Sequence, residues 1–349
     1  MRKALIFGVT GQDGSFLAEQ LLTIGYKVYG AKRRSSLNFG RSRLNKNIIN
    51  NENFNLITCD VSDSHAVLEL VNNTQPHYIY NLAAQSHVGT SFGEGLSSVD
   101  ITMKGCINIL EAVRITSPET RVYQASSSEM FGNIISEGKQ NENTPFKPCS
   151  PYAIAKMGAH LFVDMYRNAY KIHACSGILF NHESERRGFE FVTRKITRYL
   201  GHLYHHLNGD DRFRSINKLK LGNIDSVRDW GYAPDYTEAM KLILEAPVPK
   251  DYIVATGSVY SVRDFLTFTL MQISILVKGD IEALYNNYIE ISNQYKRPCD
   301  VTYLNGDASL IRDELGWYPK HNFFDIARIM VEHDILELRK YGPDAIQQN

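Results

Sequence analysis

The chain carries no excess of charge, little cysteine and no long apolar run. Lys plus Arg and Asp plus Glu both number 38, so no overall field draws it to nucleic acid or a membrane surface, which leaves room only for a local basic pocket. Its five cysteines (Cys59, Cys106, Cys149, Cys175 and Cys299) are odd in number, scattered, and form no C-x-x-C. That pattern predicts a reduced, intracellular protein and argues against a disulfide framework or a zinc site. No stretch approaches the roughly 20 apolar residues that a membrane-spanning helix needs. The apolar start resembles a signal peptide, but it is short and is cut at once by Gly8, Gly11, Asp13 and Gly14. A cytoplasmic protein is expected. There is no internal repeat and no low-complexity tract beyond local Asn clusters, and 349 residues allow one large or two ordinary domains.

What is present alternates. Lys3 to Gly8 reads as a buried parallel strand, and Gly8-Val-Thr-Gly11-Gln-Asp-Gly14 leads from it into an amphipathic helix, Ser15 to Ile24. Glycines at those positions permit a tight turn and let the backbone approach a pyrophosphate on the helix N-terminus, which predicts dinucleotide binding. The second strand, Tyr26 to Lys32, ends in Lys32-Arg33-Arg34-Ser35-Ser36, where an NAD-binding fold would offer an acid to the ribose 2′-hydroxyl. Two guanidiniums and two hydroxyls suit a 2′-phosphate instead, so NADP is preferred to NAD. The polar connection from Asn38 to Asn53 is longer than a strand-to-helix loop requires and suggests an oligomer contact.

Further strands are expected at Phe54 to Thr58, His77 to Leu82, Arg121 to Ala125, Ala174 to Phe180 and Tyr252 to Thr256. Helices are expected at Val99 to Ile115, Pro151 to Tyr170, Glu190 to Leu207, Asp235 to Glu245, Val262 to Val277 and Phe323 to Lys340. Asp60 either touches an adenine or caps the helix beginning near Ser62. The fold class is therefore α/β: a Rossmann-type doubly wound parallel sheet with a smaller, non-contiguous C-terminal substrate-binding domain. Residues 1–180 form the dinucleotide-binding domain, a segment near 223–260 returns to it, and the remainder from 181 is mainly a cap. Ligands on such sheets lie beyond the strands' carboxyl ends, where Ala83–His87, Ser126–Glu129 and Asn181–Glu183 all fall.

The most chemical stretch is Ser150-Pro-Tyr-Ala-Ile-Ala-Lys156. Ser150 suits an N-cap and Pro151 the first helical position. Tyr152 and Lys156 then stand one turn apart on one helix face, and an ammonium favours a phenolate. Alone, Y-x-x-x-K is more often a pair of solvated helix positions.

Taken together, GVTGQDG, KRRSS, NLAAQSHV, QASSSEMFG, SPYAIAK and ILFNHESERRG mark a chain that resembles the extended short-chain dehydrogenases/reductases, and more narrowly is similar to the GDP-mannose 4,6-dehydratases. The resemblance covers essentially the whole chain and continues through FVTRKI (191–196), LGNIDSVRDWGYAPDY (221–236), ATGSVYSVRDF (255–265) and YKRPCDV (295–301). It implies oxidation of the hexose at C4 by NADP⁺, loss of water across C5 and C6, and return of the hydride to C6. It further implies Tyr152 as the C4 base, with Lys156 lowering its pKa, Glu129 as the C5 base and donor to the leaving hydroxyl, and Ser127 polarising the C4 oxygen. By the same resemblance Gly8, Gly11, Gln12, Asp13, Gly14, Arg33, Ser35, Asp60, Val61, Leu82, Ala84, Ser86, Tyr152, Lys156, His182 and Arg187 line the NADP site. Ser86, Ser128, Glu129, Asn181, Val192, Lys195, Gly222, Arg228 and Arg297 line the GDP-sugar site. The segment Arg33 to Arg43 is similar to one that reaches a neighbouring subunit's cofactor, so a dimer or tetramer is expected.

The chain departs from the family pattern in places. Ser127 stands where Thr is usual, Ser97 where Tyr is frequent, and Glu185 where Pro is usual; R-P-T-E-V-D reads Arg297-Pro-Cys-Asp-Val-Thr302. The last change lies near the expected sugar pocket, which keeps GDP-D-glycero-D-manno-heptose as an alternative substrate. A catalytically silent NADP-sensing protein of the same fold is a rival from another class. Intact Ser127, Glu129, Tyr152 and Lys156 argue against it, as Glu129 argues against an epimerase or a one-way reductase.

Overall fold

The computed structural model describes residues 1–34, 43–134, 138–292 and 299–343. In chain order β1 (Lys3–Phe7), α1 (Gln12–Thr23), β2 (Lys27–Lys32), α2 (Lys46–Ile49), β3 (Phe54–Thr58), α3 (Ser64–Thr74) and β4 (Tyr78–Asn81) open the fold. Next come α4 (Val88–Ser91), α5 (Gly95–Ser98), a π-helical stretch Val99–Lys104, α6 (Gly105–Thr116), β5 (Arg121–Ser127), a 3₁₀ turn Ser128–Phe131, α7 (Pro151–Tyr170) and β6 (Ala174–Leu179). The second half holds β7 (Asn181–Glu183), α8 (Val192–Leu207), β8 (Leu219–Leu221), β9 (Val227–Tyr232), α9 (Ala233–Glu245), β10 (Tyr252–Val254) and β11 (Val259–Ser261). It ends with α10 (Val262–Val277), α11 (Ile281–Tyr288), β12 (Ile289–Ile291), α12 (Ser309–Leu315) and α13 (Phe323–Tyr341).

Seven strands pair in the order β10-β6-β5-β4-β1-β2-β3, every neighbour parallel. The two-residue period of a strand sorts its side chains between two cores. Ala4 and Ile6 face α1 and α9, with Leu17, Leu21, Tyr236 and Met240. Leu5 and Phe7 face α3, α6 and α7, with Val67, Leu110 and Val163. Both faces are buried, which is why these strands read as apolar runs. The order reverses at β1 and β4, and a crevice opens there beyond the carboxyl ends.

The remaining elements build a second body. β11-β9-β7 and β12-β8 form two small sheets, packed with α8, α10 and α13 around Trp230, Phe265, Phe323 and Met330. α8 and α13 are also tied by buried ions: Arg194 pairs with Asp334 at 2.8 Å, and Thr197 donates to Asp334 at 2.7 Å. β10 crosses back to extend the main sheet beside β6, so the chain passes between the bodies more than once.

The structure differs from expectation in details with physical causes. The helix expected at Val99 to Ile115 is π-helical over its first six residues before α6 begins. α1 starts at Gln12, because Gly11 is already its N-cap. β7, β9 and β11 were not foreseen; they are short and carry buried polar side chains such as Arg228 and Asp229. Asp229 is fully buried. Its Oδ1 accepts from the Thr256 amide at 2.8 Å and hydroxyl at 2.7 Å, and its Oδ2 from the Gly257 amide at 2.7 Å, which clips β9 to the turn after β10. Asp229→Ala strands those donors and is expected to lower the unfolding free energy by about 3 kcal/mol, measured by urea titration with tyrosine and tryptophan fluorescence.

Candidate active site

A cleft of about 580 Å³ runs along the carboxyl edge of the main sheet into the second body. Its floor begins at the glycine turn. Gly8 has φ +81°, and a Cβ there would stand 2.9 Å from the Ala83 nitrogen, so only glycine lets β1 turn against the end of β4. Gly11 caps α1 without a side-chain acceptor, and a Cβ on it would meet only the Gly8 carbonyl, at 3.2 Å. The first amides of α1 therefore face a bare wall of the cleft, which fits a pyrophosphate.

Beside this wall sits a charged pair. His182 Nε2 lies 3.0 Å from Asp13 Oδ2, and its Nδ1 lies 2.7 Å from the Phe180 carbonyl. Acceptors at both nitrogens favour the imidazolium. Burial opposes charge on the ring, but Asp13 outweighs it and the His182 pKa is raised. Burial likewise pushes Asp13 up; the imidazolium and a hydrogen bond from Gln12 overcome it and hold the carboxyl at about 2. The ring stacks on Tyr236 at 4.6 Å. Nearby, Arg187 pairs with Glu183 at 3.2 Å and lies 3.8 Å over Phe191.

The opposite wall is β5 and α7. Ser150 accepts from the Ala153 amide at 3.2 Å and Pro151 opens the helix, as the sequence predicts. Lys156, 4% exposed, donates to the Ala125 carbonyl at 2.6 Å; burial draws its ammonium down to about 8. Ser127 caps the 3₁₀ turn by accepting from the Glu129 amide at 3.3 Å, and the turn delivers Glu129 to the cleft. The chain then doubles back at Gly132, φ +60°, where a Cβ would collide with the Lys147 carbonyl.

One expectation needs correction. Lys156 was expected to lower the Tyr152 pKa, but in the structure the phenol is pushed up to about 12. Burial is the largest cause; the Ser127 hydrogen bond works against it, and the Glu129 charge adds to it. The lysine sits 5.8 Å from the Tyr152 ring centre and directs its proton at Ala125 rather than at the phenol.

Of the residues named from the sequence, Gly8, Gly11, Gln12, Asp13, Gly14, Leu82, Ala84, Ser86, His182 and Arg187 line the cleft. So do Ser127, Ser128, Glu129, Tyr152, Lys156, Asn181, Val192, Lys195, Gly222 and Arg228. Arg33, Asp60 and Val61 do not. Arg33 is exposed after β2, and Asp60 holds the Ser62 amide and hydroxyl at 3.0 and 2.7 Å. Asp60 is no helix cap either, since Asp63 caps α3. Val61 is buried and its carbonyl accepts from Asn108. Ser35 and Arg297 lie outside the described residues. Lys195 donates to the Lys220 carbonyl at 2.7 Å, and Arg228 to the Val301 carbonyl at 2.6 Å; both put positive charge on the second body's wall.

Three further residues, each from a stretch the sequence marked but gave no role of its own in this cleft, also line it. Arg43 reaches its own chain's cleft, donating to the Thr10 carbonyl at 3.4 Å and to Arg186. His87 caps α4, accepting from the Thr90 amide at 3.1 Å. Asp300 enters from within the YKRPCDV segment, 295–301, read from the sequence as lying near the sugar pocket. Cys149 and Cys299, distant in sequence, share a hydrogen bond beside Glu129, and burial pushes Cys149 up to about 12. Among the described residues no group of three metal-ligating side chains stands close enough to hold an ion, and no helix is long and apolar enough to cross a membrane.

A bare helix start facing a Tyr–Lys helix across the reversal point of a parallel sheet defines a dinucleotide-dependent enzyme of the short-chain dehydrogenase/reductase type. Comparison narrows it. The family model described as GDP-mannose 4,6 dehydratase matches residues 5–330. GDP-mannose 4,6 dehydratase 1 of Arabidopsis thaliana is 44% identical over 346 residues, spanning 97% of this chain and 90% of that protein. The Homo sapiens GDP-mannose 4,6 dehydratase is 40% identical over 358 residues, spanning 98% and 93%. The chain belongs to the GDP-mannose 4,6-dehydratase family. Among solved structures, dTDP-glucose 4,6-dehydratase from Bacillus anthracis in complex with NAD superposes with a TM-score of 0.80 at 20% identity, covering 98% of this chain and 99% of that one. UDP-glucose 4-epimerase from Thermus thermophilus, also complexed with NAD, gives 0.77 at 21% identity, covering 95% and 98%. At those identities the likeness is one of fold.

The buried lysine offers a direct check. Its ammonium is expected to titrate near 8, not above 10, in ¹³C-lysine NMR of the full chain, with the signal assigned by its loss in Lys156→Met.

Proposed function

We propose that this chain is a GDP-sugar 4,6-dehydratase that converts GDP-mannose to GDP-4-keto-6-deoxymannose with NADP, and that residues 1–180 mainly hold the dinucleotide while the later body holds the nucleotide sugar. The observation that carries this reading is the meeting of Tyr152, Ser127 and Glu129 in one cleft, where the Ser127 hydroxyl lowers the phenol's pKa and the Glu129 charge raises it. A simple reductase or epimerase has no use for that carboxylate.

The residues fit a dinucleotide. The uncapped start of α1 and the glycines at 8, 11 and 14 would take its pyrophosphate, with Asp13, His182 and Arg187 beside it and Lys156 near a ribose. β2 ends at Lys32 followed by exposed Arg33 and Arg34, with no carboxylate for a 2′-hydroxyl, which supports NADP. When bound, the dinucleotide supplies the hydride acceptor for C4 and the donor for C6.

The chain's own work is proton handling. Tyr152 Oη takes the C4 hydroxyl proton and Ser127 donates to the same oxygen. Glu129 takes the C5 proton and, once protonated, gives it to the departing C6 hydroxyl; when C6 receives its hydride, C5 takes a solvent proton relayed by Glu129, and Tyr152 releases the one it took. Lys195 and Arg228 stand where cations on the second body would meet a diphosphate. A cytoplasmic location belongs to the same reading and rests on five free cysteines.

Purified chain incubated with GDP-mannose and no reductant is expected to lose water from the sugar, followed by mass spectrometry. Turnover of GDP-D-glycero-D-manno-heptose alone would shift the substrate to the longer sugar. Glu129→Gln is expected to lower dehydration by roughly 100-fold or more while NADP binding persists and C5 deuterium exchange stops; a wild-type rate would refute the role of Glu129.

Self-association is part of the proposal. Ile154, Leu161 and Met165 leave one side of α7 apolar and between 39 and 53% exposed, and Leu96 beside them is 85% exposed. Leu161→Glu is expected to move the sedimentation-equilibrium mass toward the monomer without loss of secondary structure.

A further inference from the structure

Tyr152, Lys156 and His160 follow one another at four-residue spacing, so α7 stacks all three along the face turned to β5. The proton steps above use the first two. His160 is 7% exposed, with its ring edge-on to Phe146 at 5.2 Å. Its Nδ1 lies 3.2 Å from the Ser126 hydroxyl. Its Nε2 lies 3.9 Å from Asp251 Oδ2, beyond a hydrogen bond but well inside the range of a carboxylate's field.

Asp251 is itself fixed. It takes two bonds from Arg167, at 2.9 and 2.7 Å, and one from the Ser176 amide at 2.7 Å. Burial lowers the His160 pKa; Arg167 lowers it too, whereas Asp251 and Asp164 raise it. The ring is therefore neutral at pH 7, with one donor nitrogen and one acceptor. The carboxylate draws the single proton to Nε2, which leaves Nδ1 as acceptor and obliges Ser126 to donate.

Ser126 is 2% exposed and still lines the cleft. It stands between Ala125, whose carbonyl accepts from the Lys156 ammonium, and Ser127, whose hydroxyl acts on the Tyr152 phenol. A free serine rotor would offer either its proton or its lone pairs to the cleft. We propose that His160 is a positioning residue: through Nδ1 it holds the Ser126 proton away from the cleft, so that Ser127 alone donates to the C4 oxygen while Tyr152 takes its proton, and the Ser126–Glu129 turn keeps one arrangement. The inference rests on the dehydratase reading. Protonating His160 would turn Nδ1 into a donor and push the Ser126 proton back toward the cleft, so activity falls at a pH below 6.5.

The test joins a spectrum to kinetics. In ¹⁵N-histidine NMR of the full chain at pH 7, His160 is expected to carry its proton on Nε2; a proton on Nδ1, or on both nitrogens, overturns the proposal. His160→Phe, checked for folding by circular dichroism, is expected to lower kcat on GDP-mannose roughly five- to tenfold, the scale of one hydrogen bond, with KM within about twofold. His160→Asn, whose side-chain oxygen can accept from Ser126, is expected to restore most of kcat and to lose the acid limb. An unchanged kcat in His160→Phe, or an acid limb persisting in His160→Asn, overturns the role. No turnover by the unsubstituted chain would instead sink the dehydratase reading, and the two failures are thereby told apart.

Discussion

One hydrogen bond, from the Lys156 ammonium to the Ala125 carbonyl at 2.6 Å, holds the site together. It pins α7 to the carboxyl end of β5, and the rest follows by geometry. One turn before the lysine, Tyr152 arrives beside Ser127; two residues beyond Ser127, the 3₁₀ turn brings Glu129 to the same void. The bond is costly to arrange, because an ammonium is taken out of water with a neutral carbonyl as its acceptor, and its depressed pKa is the sign of that cost. Tyr152 is shifted in the opposite sense: burial raises the phenol, so the group gives up its own proton before it takes that of the C4 hydroxyl. The two groups meet the reaction with pKa values pushed apart, the ammonium at about 8 and the phenol at about 12, so that the lysine is the readier proton donor of the pair.

The second constraint is charge within the cofactor wall. Asp13 and His182 lie on α1 and β7, far apart in the chain, and each is ionised because the other is. The stack of His182 on Tyr236 connects this pair to α9 and so to the core beneath the sheet. A site residue and a packing residue are here the same side chain.

Much of this was legible in the sequence, for physical reasons. Strands buried on both faces appear as apolar runs, and the glycine turn, the Ser150-Pro151 helix start and the Tyr152–Lys156 spacing are local patterns that need no third dimension. β9 was not legible, since Arg228, Asp229 and Gly231 break the apolar run while the fold supplies partners for them. The π-helical stretch leaves no compositional mark, because one shifted hydrogen-bond register costs no particular residue. Long-range meetings were equally hidden. Cys149 with Cys299, His160 with Ser126 and Asp251, and Arg43 with Thr10 depend on how loops return. The sign of the Tyr152 shift was missed because spacing reveals the neighbouring cation but not the depth of burial.

The sheet's outer edge has a history in time. β6 is complete at Leu179, yet β10, the strand that covers it, is not reached until Tyr252. At ribosomal speeds of about 5–20 residues per second, the intervening segment of roughly seventy residues takes several seconds to emerge. During that interval a strand that ends fully buried stands at the margin of a nascent sheet with its ladder groups open. The interleaved order that builds the cleft from two bodies thus leaves the sheet's edge open at one definable stage of translation.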